Sequence, residues 1–287
     1  MAATCSLTLA LLYAFATPAV GLDWHPNWTT AVEAAAKNGR VAYIFVYLPY
    51  RTTCGQMYQR TFSNAEVIKR LDHFDLGDVD ASTKDGGDFV RRYNLAFIQD
   101  PHSKMKLAVV PAHLFFAPDG TLLLRQYGFI PAQGFAALLD RVDILRHCRA
   151  QLKQNSHDAS ACAQMGHTLI VLNQIDDGRR YAEMAIAYDP SDATGAPIRA
   201  RLDLAILAIK SDPNVGVDRL RRWLDAYGTS ALRLEGRFYL ATAYYAAGNT
   251  RAAEDTLMPF VNARKGSPEG ESDWGALGRG LYKEIHK

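Results

Sequence analysis

The sequence predicts an α/β layer domain followed by an all-helical domain, and three observations carry that division. Short apolar runs of strand character, above all Val41–Leu48, alternate with helical stretches up to about residue 148. Beyond about residue 150 the strand pattern stops. Amphipathic stretches then follow one another, separated by Asp189-Pro190, Asp212-Pro213 and Gly248-Asn249. The chain has 287 residues, of which 48% are apolar, which suits two modest cores better than one.

Composition excludes some functions. A formal charge of +2, with no long run of one sign, offers no electrostatic case for a nucleic-acid partner. Residues 1–21 carry no charged side chain, and Ala19-Val20-Gly21 supplies small residues before Leu22. We expect 1–21 to be a cleaved signal peptide with an atypical, uncharged start, which places the mature chain in the periplasm or outside the cell. The alternative is an uncleaved membrane anchor, for which Leu7–Ala16 is short. Cleavage removes Cys5 and leaves Cys54, Cys148 and Cys162, an odd count without a CxxC pair or zinc-type spacing. No metal and no cofactor is expected.

The elements follow in order. Thr30 and Glu33 form a capping-box pattern for a helix over Ala31–Lys37, stopped by Asn38-Gly39. The strand at 41–48 runs into Pro49-Tyr50-Arg51-Thr52-Thr53-Cys54, and a helix is expected from about Cys54 to Arg60. Ser63 and Glu66 form a second capping-box pattern for Ala65–Leu71. Phe74–Asp80 alternates as a strand, and Asp88–Tyr93 reads as a helix. Ala96–Lys106 reads as an irregular insertion before Leu107–Pro111. His113–Phe116 and Thr121–Arg125 flank a Pro-Asp-Gly turn and predict a hairpin. Pro131 opens a helix to about Cys148. The glycine-rich last twenty or so residues read as irregular.

Gly39-Arg40-Val41, Tyr50, Arg51, Cys54, Met57 and Thr61-Phe62-Ser63-Asn64 resemble, in spacing, the secreted thioredoxin-related branch of the thioredoxin superfamily. Val79-Asp80, Val110-Pro111, Phe115-Phe116, Asp119-Gly120 and Gly128 continue the resemblance, which covers about 22–147. It implies a central mixed sheet flanked by helices, with a cis-proline at Pro111. In this register Cys54 stands at the family's second, resolving cysteine, Arg51 at the attacking one and Tyr50 at the tryptophan. A rival register sets Cys54-Gly55 at the first cysteine and shifts every downstream match by three. From about 149 onward, Leu240-Ala241, Tyr244-Tyr245, Gly248 and Ala253 resemble tetratricopeptide repeats, with a degenerate copy at Met165-Gly166, Ala185 and Pro190. The implied organisation is a signal peptide (1–21), a thioredoxin-like domain (22–148) and tetratricopeptide-like helical repeats (149–287).

The departures decide the expected chemistry. Dithiol exchange needs an attacking thiolate and a resolving thiol, and a permanently cationic Arg51 does not attack. Two readings of Cys54 stay open: a buried small hydrophobe, or a single reactive thiol assisted by the Arg51 charge. The expected function is therefore binding of a protein or peptide client through Tyr50, Arg51, Val110, Pro111 and the helical repeats. The alternative is a monothiol thiol–disulfide oxidoreductase using Cys54, and a third is a platform whose repeats do all the binding. The 96–106 insertion is a candidate client contact, and His113 reads as a satisfied core or edge residue. Cys148 and Cys162, fourteen residues apart, either bridge or stand as separate buried thiols.

Overall fold

The protein is described here from a computed structural model, over residues 21–99 and 106–287. The expected signal peptide, apart from Gly21, and the middle of the 96–106 insertion lie outside the described residues. The chain divides into two compact units between Arg146 and His147.

The first unit holds strands β1 (Val41–Tyr47), β2 (Phe74–Asp80), β3 (Phe97–Gln99), β4 (Lys106–Ala108), β5 (Ala112–Phe116) and β6 (Leu122–Tyr127). Its helices are α1 (Trp28–Asn38), α2 (Thr52–Gln56), α3 (Ala65–Leu71), α4 (Lys84–Arg92) and α5 (Ala132–Gln154), the last running through the division. The main sheet has the order β2-β1-β5-β6, with β1 parallel to β2 and β5 antiparallel to both its neighbours. This is the mixed, helix-flanked sheet of a thioredoxin-like fold. Strand β1 is covered on both faces, which is why its sequence is apolar without alternation. Ala42, Ile44 and Val46 pack with Ala31, Ala35, Phe89 and Val90 of α1 and α4. Tyr43 and Phe45 point the other way, into aromatic contact with Phe62 and Phe135.

Several local expectations are corrected. Asn27, not Thr30, caps α1: its side chain accepts from Thr30 N at 2.9 Å while Thr30 returns the capping-box contact. Asn64, not Ser63, caps α3, accepting from the Glu66 and Val67 amides. Ser63 bonds back to the Gln59 carbonyl instead. Helix α4 begins at Lys84, with Thr83 as its cap. The helix after the elbow starts at Thr52 and passes into a π-helical turn over Met57–Thr61. The insertion is not wholly irregular, since its two ends pair as the antiparallel ribbon β3–β4.

The second unit holds α6 (Ala159–Val171), α7 (Ile175–Tyr188), α8 (Ala196–Ser211), α9 (Pro213–Tyr227), α10 (Arg233–Ala246), α11 (Thr250–Val261), α12 (Pro268–Glu271) and α13 (Asp273–Ile285). The sequence breakers act as caps here. Asp212 caps α9 with Pro213 as its first residue, and Gly248 at φ +77° precedes the Asn249 cap of α11. Asp189 gathers the Ser191 and Thr194 hydroxyls and the Ala193 and Thr194 amides.

Helix α13 corrects the expected irregular tail. Its glycines permit close approach: a Cβ on Gly278 would sit 2.5 Å from Phe260 Cδ2, against α11. Gly278→Val should therefore overpack this contact and cost ~1–3 kcal/mol. Urea unfolding followed by far-ultraviolet circular dichroism checks this; an unchanged midpoint would show that α13 does not pack there.

Candidate functional site

The elbow begins where β1 stops. Leu48, Pro49 and Tyr50 turn the chain, closed by a 3.0 Å bond from Arg51 N to the Leu48 carbonyl. Arg51 stands at the N-cap of α2 with extended backbone (φ −86°, ψ 117°), and its side chain caps nothing. Its carbonyl accepts from the Cys54 and Gly55 amides at 3.0 and 3.2 Å. Cys54 lies one turn inside the helix and is 2% exposed. Burial pushes its thiol pKa up, against smaller lowering effects from the Leu48 backbone, the Arg51 charge and the Thr53 hydroxyl. The balance leaves a thiol that is both hidden and protonated, a poor nucleophile.

The Pro111 loop lies at the same end of the sheet, because Val46 at the end of β1 is paired with Ala112 at the start of β5. The Val110–Pro111 peptide is cis. Val110 is half-buried and Pro111 is buried. The β3–β4 ribbon leads directly into this loop, with Val109 N bonded to the Ala96 carbonyl at 2.8 Å. Among the described residues of the unit, two large apolar side chains stand out into solvent: Tyr50 on the elbow, 59% exposed, and Phe97 on β3, 46% exposed. Tyr50, Arg51 and Cys54 are thus contiguous, and Val110 and Pro111 share their end of the sheet. Among the described residues no hydrogen bond joins the two groups.

Below the elbow lies a polar set that sequence reading missed. The Tyr58 hydroxyl donates to Asp78 Oδ2 at 3.5 Å. Burial raises the Asp78 pKa. The Tyr47 phenol is pushed up to about 12 by burial, and by the charges of Asp78, Asp80 and Cys54. The available signal was register: Phe45 and Tyr47 stand beside Asp78 and Asp80 on the parallel neighbour. The π-helical turn anchors this layer, since Thr61 donates to the Ile130 carbonyl at 2.7 Å and Met57 Sδ accepts from Ile130 N at 3.4 Å.

His113 is a core residue with both ring nitrogens engaged. Tyr43 Oη lies 2.7 Å from Nδ1 and the Gly128 carbonyl 3.0 Å from Nε2. A carbonyl only accepts, so Nε2 carries the proton and Nδ1 accepts from the tyrosine.

Residues 28–143 match the thioredoxin-like domain family. No match was found among curated proteins. Among solved structures, a thioredoxin from Thermus thermophilus shares 20% identity over 47% of this chain and 97% of its own, with a TM-score of 0.39. A DsbH oxidoreductase shares 17% identity over 50% of this chain and 95% of its own (TM-score 0.36). A disulphide isomerase from Xylella fastidiosa Temecula1 shares 15% over 42% and 95% (TM-score 0.30). The thioredoxin-like match ends before Cys148 and leaves the helical unit unassigned.

Among the described residues no group of three or more His, Cys, Asp or Glu side chains is placed to hold a metal ion. Cys148 and Cys162 are both free and buried, so the bridge considered from sequence is not formed. Cys148 instead lies 3.4 Å from Gln164 Oε1 as a thiol donor. Burial pushes both thiols up to about 11.

Burial holds His113 at a pKa of about 4, against the opposing effect of its bond to Gly128. The unfolded chain takes up this proton first as pH falls through about 6.5, while the folded chain does not. The stability present above that pH should therefore fall as pH drops toward 4, by about 3 kcal/mol. Urea midpoints of the wild type and His113→Gln between pH 7 and 4 check it, because carboxylate effects are common to both. Parallel curves would refute the assignment.

Proposed function

We propose that this protein binds an extended segment of a client or partner protein at the sheet end carrying Tyr50, Arg51, Val110 and Pro111, and that it does not perform dithiol exchange. The observation that carries this reading is Cys54, 2% exposed and one turn behind an arginine at the helix start. Strand-edge pairing draws its affinity from main-chain groups and needs no thiol. An exposed aromatic, Tyr50, next in sequence to the Arg51 guanidinium adds side-chain contacts to such an edge.

The second reading is a monothiol oxidoreductase using Cys54, with an external thiol resolving the mixed disulfide. It is favoured by the Leu48 backbone, the Arg51 charge and the Thr53 hydroxyl, all of which lower the thiol pKa. For the helical unit we propose tetratricopeptide-like repeats that add a second binding surface. Supporting this, side-chain pairs link successive first helices at the same separation: His167 with Asp203, Arg199 with Glu235, and Arg233 with Glu269, each 36 residues apart. We further propose that residues 1–21 direct the chain to the cell envelope and are removed there. The platform alternative, in which the repeats do all the binding, is separated by crosslinking from position 50 against position 167: partner capture only from 167 would support it.

Two measurements test the site. Iodoacetamide should label Cys54 in the folded protein slowly and only as fast as unfolding permits, whereas prompt labelling near neutral pH would favour the monothiol enzyme. Arg51→Cys should create a CxxC pair, close it as a disulfide, and give insulin-reducing activity in the presence of dithiothreitol that the wild type lacks. A variant with two free, unbridged thiols and no activity would contradict the register that places Arg51 at the attacking position.

A further inference from the structure

We infer that His113 is a positioning residue for the Pro111 loop, acting through Gly128, and so sets the shape of the client-pairing edge. The inference rests on the binding reading above and extends it to a residue that touches no client. Gly128 is bonded on both sides of its backbone: its N–H donates to the Pro111 carbonyl at 2.8 Å, and its carbonyl accepts from His113 Nε2 at 3.0 Å. It holds φ +89°, a conformation that a side chain would strain, so the double bonding depends on a glycine here. His113 is two residues from Pro111 on β5, and its own orientation is fixed from β1 by the Tyr43 hydroxyl, 2.7 Å from Nδ1.

The circuit therefore runs from β1 through the imidazole to the end of β6, and back to the loop that opens β5. Its surroundings leave the ring no other partner. Tyr43 stacks against it with ring centroids 6.0 Å apart, and Phe45 and Phe135 lie at 5.6 and 5.5 Å. A proton on Nδ1 rather than Nε2 would leave the Gly128 carbonyl without its donor, so that carbonyl, which only accepts, selects the ring protonated on Nε2, and the Tyr43 hydroxyl then donates to Nδ1. The loop is thereby tied to one ring orientation and one tautomer, with no flexible side chain in the path.

The test is amide exchange measured residue by residue by NMR on the full chain. In His113→Leu, the Gly128 amide should exchange about tenfold faster or more, the change expected on losing one net hydrogen bond. Amides inside the β1–β5 ladder, Ile44 and Leu114, should keep their wild-type rates. His113→Gln, which retains an N–H donor near the Nε2 position, should restore Gly128 protection. Equal Gly128 rates in wild type and His113→Leu would overturn the inference, as would acceleration shared by Ile44 and Leu114, which marks general destabilisation. Tyr43→Phe removes the bond that holds the ring's orientation and should also speed Gly128 exchange; no change there would overturn the inference even if His113→Leu does not fold. Binding of fluorescein-labelled, reduced and carboxyamidomethylated α-lactalbumin, read by anisotropy, should weaken about tenfold in His113→Leu and recover in His113→Gln. If the wild type does not bind this probe, the client reading fails, while Gly128 exchange still decides the positioning role.

Discussion

A fully buried imidazole must find a donor for one nitrogen and an acceptor for the other without help from water, and the first unit is arranged around meeting that need. A buried polar group left unpaired costs ~1–3 kcal/mol, a large share of the net stability of a domain. The two partners of His113 come from elements far apart in sequence, Tyr43 on β1 and Gly128 after β6. Satisfying them fixes how β5 sits between its neighbours and how the chain leaves β6. The aromatic layer that encloses the ring, with Phe45, Phe62 and Phe135, is also the layer on which the elbow helix rests.

That shared layer explains how the elbow keeps its shape. Phe62 follows the π-helical turn and meets Trp24, Tyr43, Phe45, Tyr58 and Phe135 by ring contact. Thr61 and Met57 are fastened to the Ile130 backbone in the same region. Against this packing, a cation at the start of α2 is a minor disadvantage of ~0.3–1 kcal/mol, smaller still at a partly exposed position. Nothing that holds the helix in place involves residue 51 as a nucleophile. The strand-to-helix turn is thus stabilised by its aromatic underside, with residue 51 contributing its main chain.

The parts of this arrangement that were legible in the sequence are those whose signal is local. Val41–Leu48 reads as a strand because both faces are covered, and the Asp212-Pro213 and Gly248-Asn249 punctuation marks helix starts that the structure keeps. Both Ser/Thr-x-x-Glu patterns named the wrong cap, since a nearby asparagine, Asn27 three residues before Thr30 and Asn64 directly after Ser63, is the stronger cap and claims the helix start. The glycine-rich end misled for a different reason. A glycine marks either a break or a close approach, and only the neighbour decides: Gly278 faces Phe260, so the segment is a packed helix. The Tyr58–Asp78 bond and the His113 circuit depend on register between distant strands, which no local pattern contains.

Several of the remaining polar groups are already engaged within the fold. In the second unit Arg199 pairs with both Asp203 and Glu235, and His167 reaches Asp203 from α6. Both carboxylates are buried, and such pairs contribute little net stability because desolvation offsets their attraction. Cys148 donates to Gln164, and His113 is held between Tyr43 and Gly128. Cys54 is covered, with its thiol pushed toward the protonated form. Among the described residues these groups are committed to structure. What the first unit leaves open to solvent, among its described residues, are the large rings of Tyr50 and Phe97, and a ring held out in water gains apolar contact when another surface covers it.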